Sequence, residues 1–503
     1  MGLDEGSARR LIVERFWIAA ITGFSVVALC GCASVGLKEA GPAGVDVPTS
    51  WSGSTVDPVV GPTSLVEWWS RFDDPFLARL IGDALRANTS IGGARAALRQ
   101  ARALRDVAAA ALLPTFGSSA SAQRSRSAGS PAGRSSLNNF QTGIDANWEL
   151  DIFGVNRSAL NASEATARAS AASLGDVQVS IAAEVTLAYI TLRSSQARLA
   201  IANENLASQQ ETLQIAQWRL QAGLVTSLDA EQARTAVEQT AALVPALETS
   251  IGQTTHAVAV LTGQAPTALS AALAAPAPIP QAGAELALGI PAETLRQRAD
   301  VRVAEQQVAA AMARVNQAQA ARLPDFSIGG SLGLSALTLG ALTQGASVVS
   351  TLLASVSLPV FDGGARRVQV DVQQAALDQA REVYRNAILI ALRDVEDALV
   401  ALRGDRLRLA RLGDAAAAAA NAAALARQQY GSGLVDFQTV LQTQRTLLGT
   451  QDGVAAAQAD VGSDHVRLYK ALGGGWTPAA ATSAVARDSS EDAAATRSGA
   501  STR

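Results

Sequence analysis

The chain has 503 residues, of which 48% are apolar and 4% aromatic, and its formal net charge at pH 7 is −3. A tight nucleic-acid binder would show a basic surplus, so this balance argues against that class of protein. Both cysteines lie near the N-terminus, so the body of the chain offers no disulfide and no cysteine metal site. The sequence has no Walker loop, nucleophile elbow or dinucleotide fingerprint, and we expect no catalysis, cofactor or metal.

Residues 1–31 have the pattern of an export signal. The apolar run at 18–29 follows three arginines and is about 12 residues long, too short for a transmembrane helix. It ends in a sequence that resembles a bacterial lipobox, so cleavage would leave Cys32 as a lipidated first residue held on a membrane. The alternative is a plain signal peptide with two incidental cysteines. Residues 32–63, rich in Gly, Pro, Ser and Val, are interpreted as a lipidated, extended tether.

The next segment predicts a helix followed by two strands. Helical spacing runs from Asn88 to Leu113, where Pro114 ends the helix. Residues 115–124 and 140–152 then alternate in polarity on either side of a polar loop. These strand signals are weak, as those of membrane barrel strands usually are, and each segment is about the length that crosses a bilayer when tilted.

The stretch 154–222 is interpreted as one long helix. It contains no proline, a single internal glycine at Gly175, and many residues of high helix propensity. At about 1.5 Å per residue the helix would reach roughly 100 Å, and its charged residues exclude a membrane span. We interpret this stretch as part of a curved wall of long helices that lie side by side. The alternative is an ordinary coiled-coil rod.

Apolar residues in this stretch recur every seven, in two registers offset by four, which is the pattern of packed, supercoiled helices. A neighbouring seam is small or polar and would let helices approach closely. The second register is Val185, Leu192, Leu199, Leu206, Leu213 and Leu220, and the small or polar seam is Ala188, Ser195, Ala202, Gln209 and Ala216.

Four sequence landmarks occur twice, about 210 residues apart, which predicts an internal two-fold repeat. The pairs are Leu113-Pro114-Thr115-Phe116 with Leu323-Pro324-Asp325-Phe326, Phe153-Gly154 with Phe361-Asp362-Gly363, Gly223-Leu224-Val225 with Gly433-Leu434-Val435, and Leu261-Thr262-Gly263 with Leu472-Gly473. The two copies are placed at 64–265 and 292–476. A Pro/Ala linker at 266–291 joins them, and a disordered tail is predicted at 477–503.

Each copy supplies two strands and a pair of helices. The second copy's strands are predicted at 326–334 and 347–361, and the first copy's returning helix at 227–261 contains Pro245, which should kink it. Four strands cannot close a barrel, and an open sheet edge cannot sit in lipid. If the strands cross a membrane the chain must oligomerise, and three copies would close a barrel of about 12 strands.

Two motifs carry a family resemblance. A tryptophan pair is followed by Phe-x-Asp-Pro-x-Leu at 68–77, and the body of the chain ends in Leu-Gly-Gly-Gly-Trp at 472–476. Together they resemble the outer-membrane factors, which are the TolC/OprM-like exit ducts of efflux systems, and in particular the lipoprotein NodT-like branch. Residues 65–476 follow this family, with one departure at 298–301, where Arg-Ala-Asp-Val replaces Arg-Pro-Asp-Ile.

The resemblance implies a lipid-anchored homotrimer in the outer membrane with a long periplasmic extension. The fold would be mixed: a long antiparallel α-helical barrel below a transmembrane β-barrel, with four strands per chain and 12 in a trimer. The function would be the passive exit duct of a tripartite efflux system, docked to a periplasmic adaptor and an inner-membrane pump of RND type. Two alternatives are an exit duct for type I protein secretion, which shares the fold, and a lipid-anchored coiled-coil scaffold without a pore.

The two turns farthest from the predicted strands are the candidate docking sites. Each has a glycine that can end a helix, a residue that can cap the next one, and an apolar pair expected to be exposed. By resemblance, the partner is the hairpin of the periplasmic adaptor. The candidate docking residues are Gly223, Leu224, Val225, Thr226, Ser227, Gly433, Leu434 and Val435.

The resemblance also implies a pore constriction just past the second turn. Similar proteins carry an aspartate at the positions that Thr439 and Gln442 occupy here, and the nearest acid in this chain is Asp436. We therefore take Asp436, Thr439 and Gln442 as the candidate constriction, with a helix cap as the alternative role of Asp436. His256 and His465 have no metal-spaced partner and are predicted to be solvated or packed.

Overall fold

The computed structural model describes residues 47–48, 50–51, 65–127, 135–283, 295–343 and 347–477, all within one unit at 45–503. The predicted export signal, Cys32, most of the tether and the tail from 478 onward lie outside the described residues. Within the described part of the chain, none of the helices combines the length and the apolar character that a membrane-spanning helix needs.

The described residues form two long helices, several shorter ones and four strands. The helices are α1 (Pro75–Ala87), α2 (Thr89–Ala110), α3 (Val155–Gln221), α4 (Ser227–Ala241), α5 (Leu243–Leu261), α6 (Ser270–Leu273), α7 (Ala299–Ala320), α8 (Ala365–Gly431) and α9 (Phe437–Ala471). The strands are β1 (Thr115–Ser127), β2 (Ser135–Leu150), β3 (Asp325–Ala336) and β4 (Val348–Ser357), and short 3-10 helices lie at Trp68–Phe72 and Leu339–Thr343.

The helix predicted to begin at Asn88 is confirmed. The Asn88 side chain accepts a hydrogen bond from the backbone N–H of Ser90 at 2.8 Å and so caps α2. The helix ends at Ala110, shortly before Pro114, which cannot continue it.

The four strands form one antiparallel sheet in the order β1-β2-β3-β4. All four predicted strands are present, but the predicted polar loop between the first two was too long. Residues 125–127 and 135–139 continue the ladder to the pair of Ser127 with Ser135. Serine and asparagine are tolerated there because the pairing is made by backbone groups. β1 and β4 lie at the two edges of this sheet.

The long helix α3 confirms the helix predicted at 154–222. It follows Gly154, whose φ of +83° lies in the left-handed region. It packs against α1, α2, α4, α5, α7 and α9, so it lies at the centre of the described helices. From Ser195 onward the small or polar seam is the more deeply buried one, because short side chains let the neighbouring backbones come close. Its buried members there are Ser195, Ala202, Gln209 and Ala216, whereas Leu199, Leu206 and Leu213 are only half-buried. Nearer the start of α3, Val185 and Leu192 of the other register are fully buried.

The predicted kink at Pro245 is also confirmed. The returning helix is divided into α4, which ends at Ala241, and α5, which begins at Leu243. Proline has no N–H to donate to the carbonyl of Ala241 four residues earlier, so the helical hydrogen bonding is interrupted there. The corresponding α9 has no proline and is continuous.

The largest buried cluster joins the first 3-10 helix to α3 and α9. Trp68 stacks on Tyr469 with 5.4 Å between ring centroids. Tyr189 of α3 donates a hydrogen bond to Asp74 at 2.8 Å, next to the cap of α1. These contacts fix α1, α3 and α9 against one another.

The described part of the predicted linker lies across α3 and α9. Arg193 of α3 donates to the carbonyl of Ala275 at 2.7 Å, and Gln281 donates to the carbonyl of Gln458 on α9 at 2.9 Å. The linker is therefore bound to both helices at mid-length. Ahead of α1, Trp51 of the predicted tether is buried against α8 and α9.

Candidate functional site

The first distal turn joins α3 to α4. Gly223 has a φ of +72°, and the N–H groups of Gly223 and Leu224 donate to the carbonyls of Leu220 and Arg219 at 2.9 and 2.8 Å. This Schellman arrangement ends α3 and requires a residue that tolerates the left-handed region. The predicted role of Gly223 as a helix terminator is confirmed.

The helix after this turn begins with a capping box. The Thr226 hydroxyl accepts from the N–H of Asp229 at 3.3 Å, and the Asp229 carboxylate accepts from the N–H of Thr226 at 3.0 Å. Of the two predicted capping candidates, Thr226 is the cap, and Ser227 is the first residue of α4.

The second distal turn, between α8 and α9, repeats this geometry. Gly433 has a φ of +73°, and the N–H of Leu434 donates to the carbonyl of Gln429 at 2.9 Å. Asp436 caps α9 by accepting from the N–H and the hydroxyl of Thr439, at 2.8 and 2.5 Å. The hydrogen bond from the Thr439 hydroxyl, and then that from its N–H, hold the pKa of Asp436 below its usual range. The capping role predicted as the alternative for Asp436 is therefore present.

The predicted apolar pairs are only partly exposed. Leu224 and Leu434 are 73% and 76% exposed, but Val225 and Val435 are half-buried, so the expectation that whole pairs are exposed is wrong. The valines precede the caps, where the chain turns back onto the helices. Of each predicted pair, only the leucine is therefore largely exposed.

Two further apolar side chains at the first turn were missed by the sequence reasoning. Leu228 and Trp218 are 64% and 60% exposed. Trp218 lies outside the heptad register that contains Leu213 and Leu220, and this offset is the sequence signal that could have found it. We call these exposed apolar side chains near the first turn, together with Leu224, the tip patch: Trp218, Leu224 and Leu228.

Contacts between Arg219 and Tyr430 join the two turns. The Arg219 guanidinium lies 4.3 Å from the centroid of the Tyr430 ring, and Tyr430 lies 5.3 Å from Phe437. Phe437 in turn packs in a small core with Ala216 and Ala233. The end of α3 is therefore connected to the end of α8, a contact that sequence reasoning did not predict.

The three candidate constriction residues lie on one face at the start of α9. Asp436, Thr439 and Gln442 are spaced by three residues, so they follow one side of the helix, and all three are exposed. The structure therefore places all three side chains near one another, on the exposed side of the first turns of α9.

The structure also locates the two histidines. His256 is exposed and His465 is packed between α8 and α9, both as predicted. Among the described residues, no group of three or more His, Cys, Asp or Glu side chains could hold a metal ion.

A family model described as outer membrane efflux protein matches this chain in two segments, residues 80–264 and 290–474. The chain is an outer membrane efflux protein. Similar proteins include the solvent efflux pump outer membrane protein SrpC of Pseudomonas putida, 31% identical over 469 residues that cover 90% of this chain and 97% of SrpC. The pyoverdine export outer membrane protein OpmQ of Pseudomonas putida is 33% identical over 444 residues, covering 86% and 93%.

Among solved structures, the outer-membrane channel OprN is similar to this efflux protein with a TM-score of 0.82 and 33% identity. The similarity covers 86% of this chain and 98% of OprN. The predicted family is confirmed, and with it the outer-membrane location and the role as the outer-membrane component of an efflux pump. The family and these relatives are transport channels.

Proposed function

We propose that this efflux protein is a homotrimeric, water-filled exit duct whose β-barrel is closed by 12 strands, four from each chain. The observation that carries the proposal is the sheet with two free edges, β1 and β4. In lipid, an open edge would leave a row of backbone groups without hydrogen bonds, so edges of neighbouring copies must pair. Three copies give the 12 strands of a plausible barrel.

The exposed face of α8 supports the same assembly. Eight large apolar residues of α8 are exposed in the single chain. Counted in sevens from Val368, they occupy only three of the seven positions, and those three are adjacent on the helix surface. We call this the α8 face: Val368, Val372, Val383, Leu389, Ile390, Val400, Leu407 and Leu425. A neighbouring copy is the proposed partner of this face, since so large an apolar stripe is unfavourable in water.

The internal repeat, with copies at 64–265 and 292–476, is part of the proposal. α3 and α8 are each 67 residues long, each follows a glycine in the left-handed region, and each ends at a Schellman-type turn. Each also follows a pair of antiparallel strands. This correspondence supports two copies of one unit, each contributing two strands and one helical hairpin.

Lipidation of Cys32 completes the proposed membrane attachment. Trp51, near the end of the proposed tether, is buried against α8 and α9, which supports a tether that reaches the helical body. The tether would then join an acylated N-terminus at the outer membrane to the middle of the helices.

We further propose that the distal turns dock a periplasmic adaptor, and through it an inner-membrane pump of RND type. The tip patch and Leu434 are exposed apolar groups at the ends of otherwise polar hairpins, which is the character of a docking surface. The names of the relatives refer to solvent and pyoverdine, which favours small organic molecules over secreted proteins as cargo.

The docking proposal is tested by placing charge on both turns. The double variant Leu224→Asp and Leu434→Asp should abolish efflux, measured as ethidium accumulation in cells that have this chain as their only duct. Thr235→Asp on the exposed side of α4 is the matched control and should keep efflux. Full efflux in the double variant, with normal trimer levels on unheated gels, would show that the turns are not the docking surface.

The constriction proposal is tested by conductance in planar bilayers. Asp436→Ala or Gln442→Ala should raise the conductance by widening the proposed constriction. Asp436→Asn removes the charge but keeps a residue that can cap α9. It therefore separates the effect of the charge on conductance from the effect of losing the helix cap. Unchanged conductance in both alanine variants would place the constriction elsewhere.

A further inference from the structure

A buried carboxyl group and a partly exposed one lie between α8 and α9, away from the distal turns. Asp464 of α9 is 0% exposed, and its Oδ1 accepts from Arg467 at 2.7 Å. Its Oδ2 is also buried and has no hydrogen-bond partner. The carboxyl group of Asp405 on α8 is close enough to Asp464 to act on its charge. Two ionised carboxylates can only accept hydrogen bonds, so no bond can join them until one carries a proton.

Asp464 and Asp405 each have an arginine within 4 Å, and the arginine beside Asp405 is shared with a third carboxylate. Arg467 on α9 and Asp405 on α8 are the charged groups that act on Asp464. Arg408 lies 3.6 Å from Asp405 but is shared with the exposed Asp460, at 3.0 Å. α3 also packs against α9, but the charged groups with the largest effect on Asp464 are Arg467 and Asp405.

The neighbouring His465 does not supply the missing proton. Its Nδ1 lies 2.8 Å from the carbonyl of Val461, so Nδ1 carries the hydrogen and donates it. Its Nε2 then accepts from Arg406 at 2.9 Å. Burial, and to a lesser extent the Arg406 charge, lower the pKa of His465, so the ring stays neutral.

Burial raises the pKa of Asp464 to about 6, and Asp405 adds to the rise while Arg467 opposes it. We propose that Asp464 and Asp405 share one proton in mildly acidic solution, and that the resulting O–H···O hydrogen bond clamps α8 to α9. The proton comes from solvent, binds one carboxylate, and lets that group donate to the other. When it returns to solvent, two negative charges face each other, that of Asp464 fully buried and that of Asp405 partly exposed, and the clamp is lost.

The clamp goes beyond the proposed function, since it needs neither a pore nor an adaptor. It joins the middle of α8 to the last third of α9, and the cap of the same α9, Asp436, lies on the distal turn. Acidification through this range should therefore tighten the second hairpin, while the first hairpin has no such pair on corresponding helices among its described residues.

Infrared spectroscopy of the full chain in detergent tests the clamp without requiring a variant to fold. The wild type should show a protonated carboxyl band that disappears as the pH rises from 5 to 8. Asp464→Asn should remove this band, and Asp405→Asn should shift its midpoint to lower pH by removing the facing charge. Asp460→Asn, one turn away in an exposed ion pair with Arg408, is the matched control and should keep the band. Absence of a titrating band in the wild type, or its persistence in Asp464→Asn, would overturn the proposal.

Thermal unfolding gives a second readout. Since the pKa of Asp464 is higher in the folded chain than in the unfolded chain, its proton favours folding at low pH, and that contribution is lost as the pH rises to about 6. The folded-to-unfolded ratio should be about tenfold higher at pH 5 than at pH 8 on this account. His465 acts in the opposite direction, so the quantity to compare is the difference between wild type and Asp464→Asn. The same pH dependence in both proteins would contradict the clamp.

Discussion

The two long helices are equal in length but differ in burial. α3 and α8 each have 67 residues, yet 24 residues of α3 are buried and only 9 of α8. α3 is surrounded by six other helices, whereas α8 contacts mainly α7 and α9 and leaves the α8 face uncovered. We conclude that α3 organises the single chain, while α8 is available for contact with another copy.

The largest expected effect comes from placing charge on the α8 face. The double variant Val372→Arg and Ile390→Arg should prevent trimer formation, because two buried charges at each interface would be left without partners. Unheated electrophoresis of the detergent extract measures the loss of the trimer band.

The matched control is Ala415→Arg, at an exposed position of α8 outside this face. It should leave the trimer intact. A trimer that survives the double arginine variant would show that α8 is not the surface joining the copies. Contact with another copy would then no longer explain why α8 is less buried than α3.

Replacing one glycine in each long helix by alanine should have the next largest effect, and the two changes in folding stability should have opposite signs. An added Cβ at Gly175 of α3 would lie 2.6 Å from the Trp476 ring, whereas nothing lies within 4 Å of that position at Gly413 of α8. Gly175→Ala should destabilise the fold by about 1–3 kcal/mol through overpacking. Gly413→Ala should stabilise it by about 0.5–1 kcal/mol through helix propensity.

Thermal or denaturant unfolding of the two alanine variants separates these effects. If Gly175→Ala were neutral, the packing of the Gly-Gly-Gly-Trp ending against α3 would be looser than the structure describes. The difference in tryptophan fluorescence between wild type and Gly175→Ala reports the change around Trp476.

The smallest effect concerns ion pairs. Arg198 of α3 binds both oxygens of Asp452 on α9, at 2.6 and 3.1 Å, and both side chains are partly covered. Arg411 and Asp414 of α8 form a longer, exposed pair at 3.8 Å. Arg198→Gln should cost about 1 kcal/mol and Arg411→Gln about 0–0.5 kcal/mol. A double-mutant cycle measures both coupling energies, and equal values would contradict the contrast in burial.

The elements predicted correctly from the sequence depend on local chemistry. The extents of α3 and α2, the break before Pro245 and the turns at Gly223 and Gly433 follow from helix propensity, missing N–H groups and left-handed backbone. These properties belong to a few neighbouring residues, so they can be recognised without knowing the fold.

The features that were missed depend on how distant segments are aligned. Arg219 meets Tyr430, and Asp464 faces Asp405, only because two helices lie at one particular relative height. The heptad pattern alone would fit equally well if one helix were shifted along the other by seven residues, so it does not determine this relative height. For the same reason the heptad pattern did not show which seam of α3 is more buried, and from Ser195 onward it is the small or polar one.

Current through planar bilayers tests the central claim, that three copies enclose a water-filled duct. Purified wild-type protein should insert and give discrete ionic current steps, and protein with Val372→Arg and Ile390→Arg should give none. A stable wild-type trimer that carries no current under any applied voltage would contradict the duct.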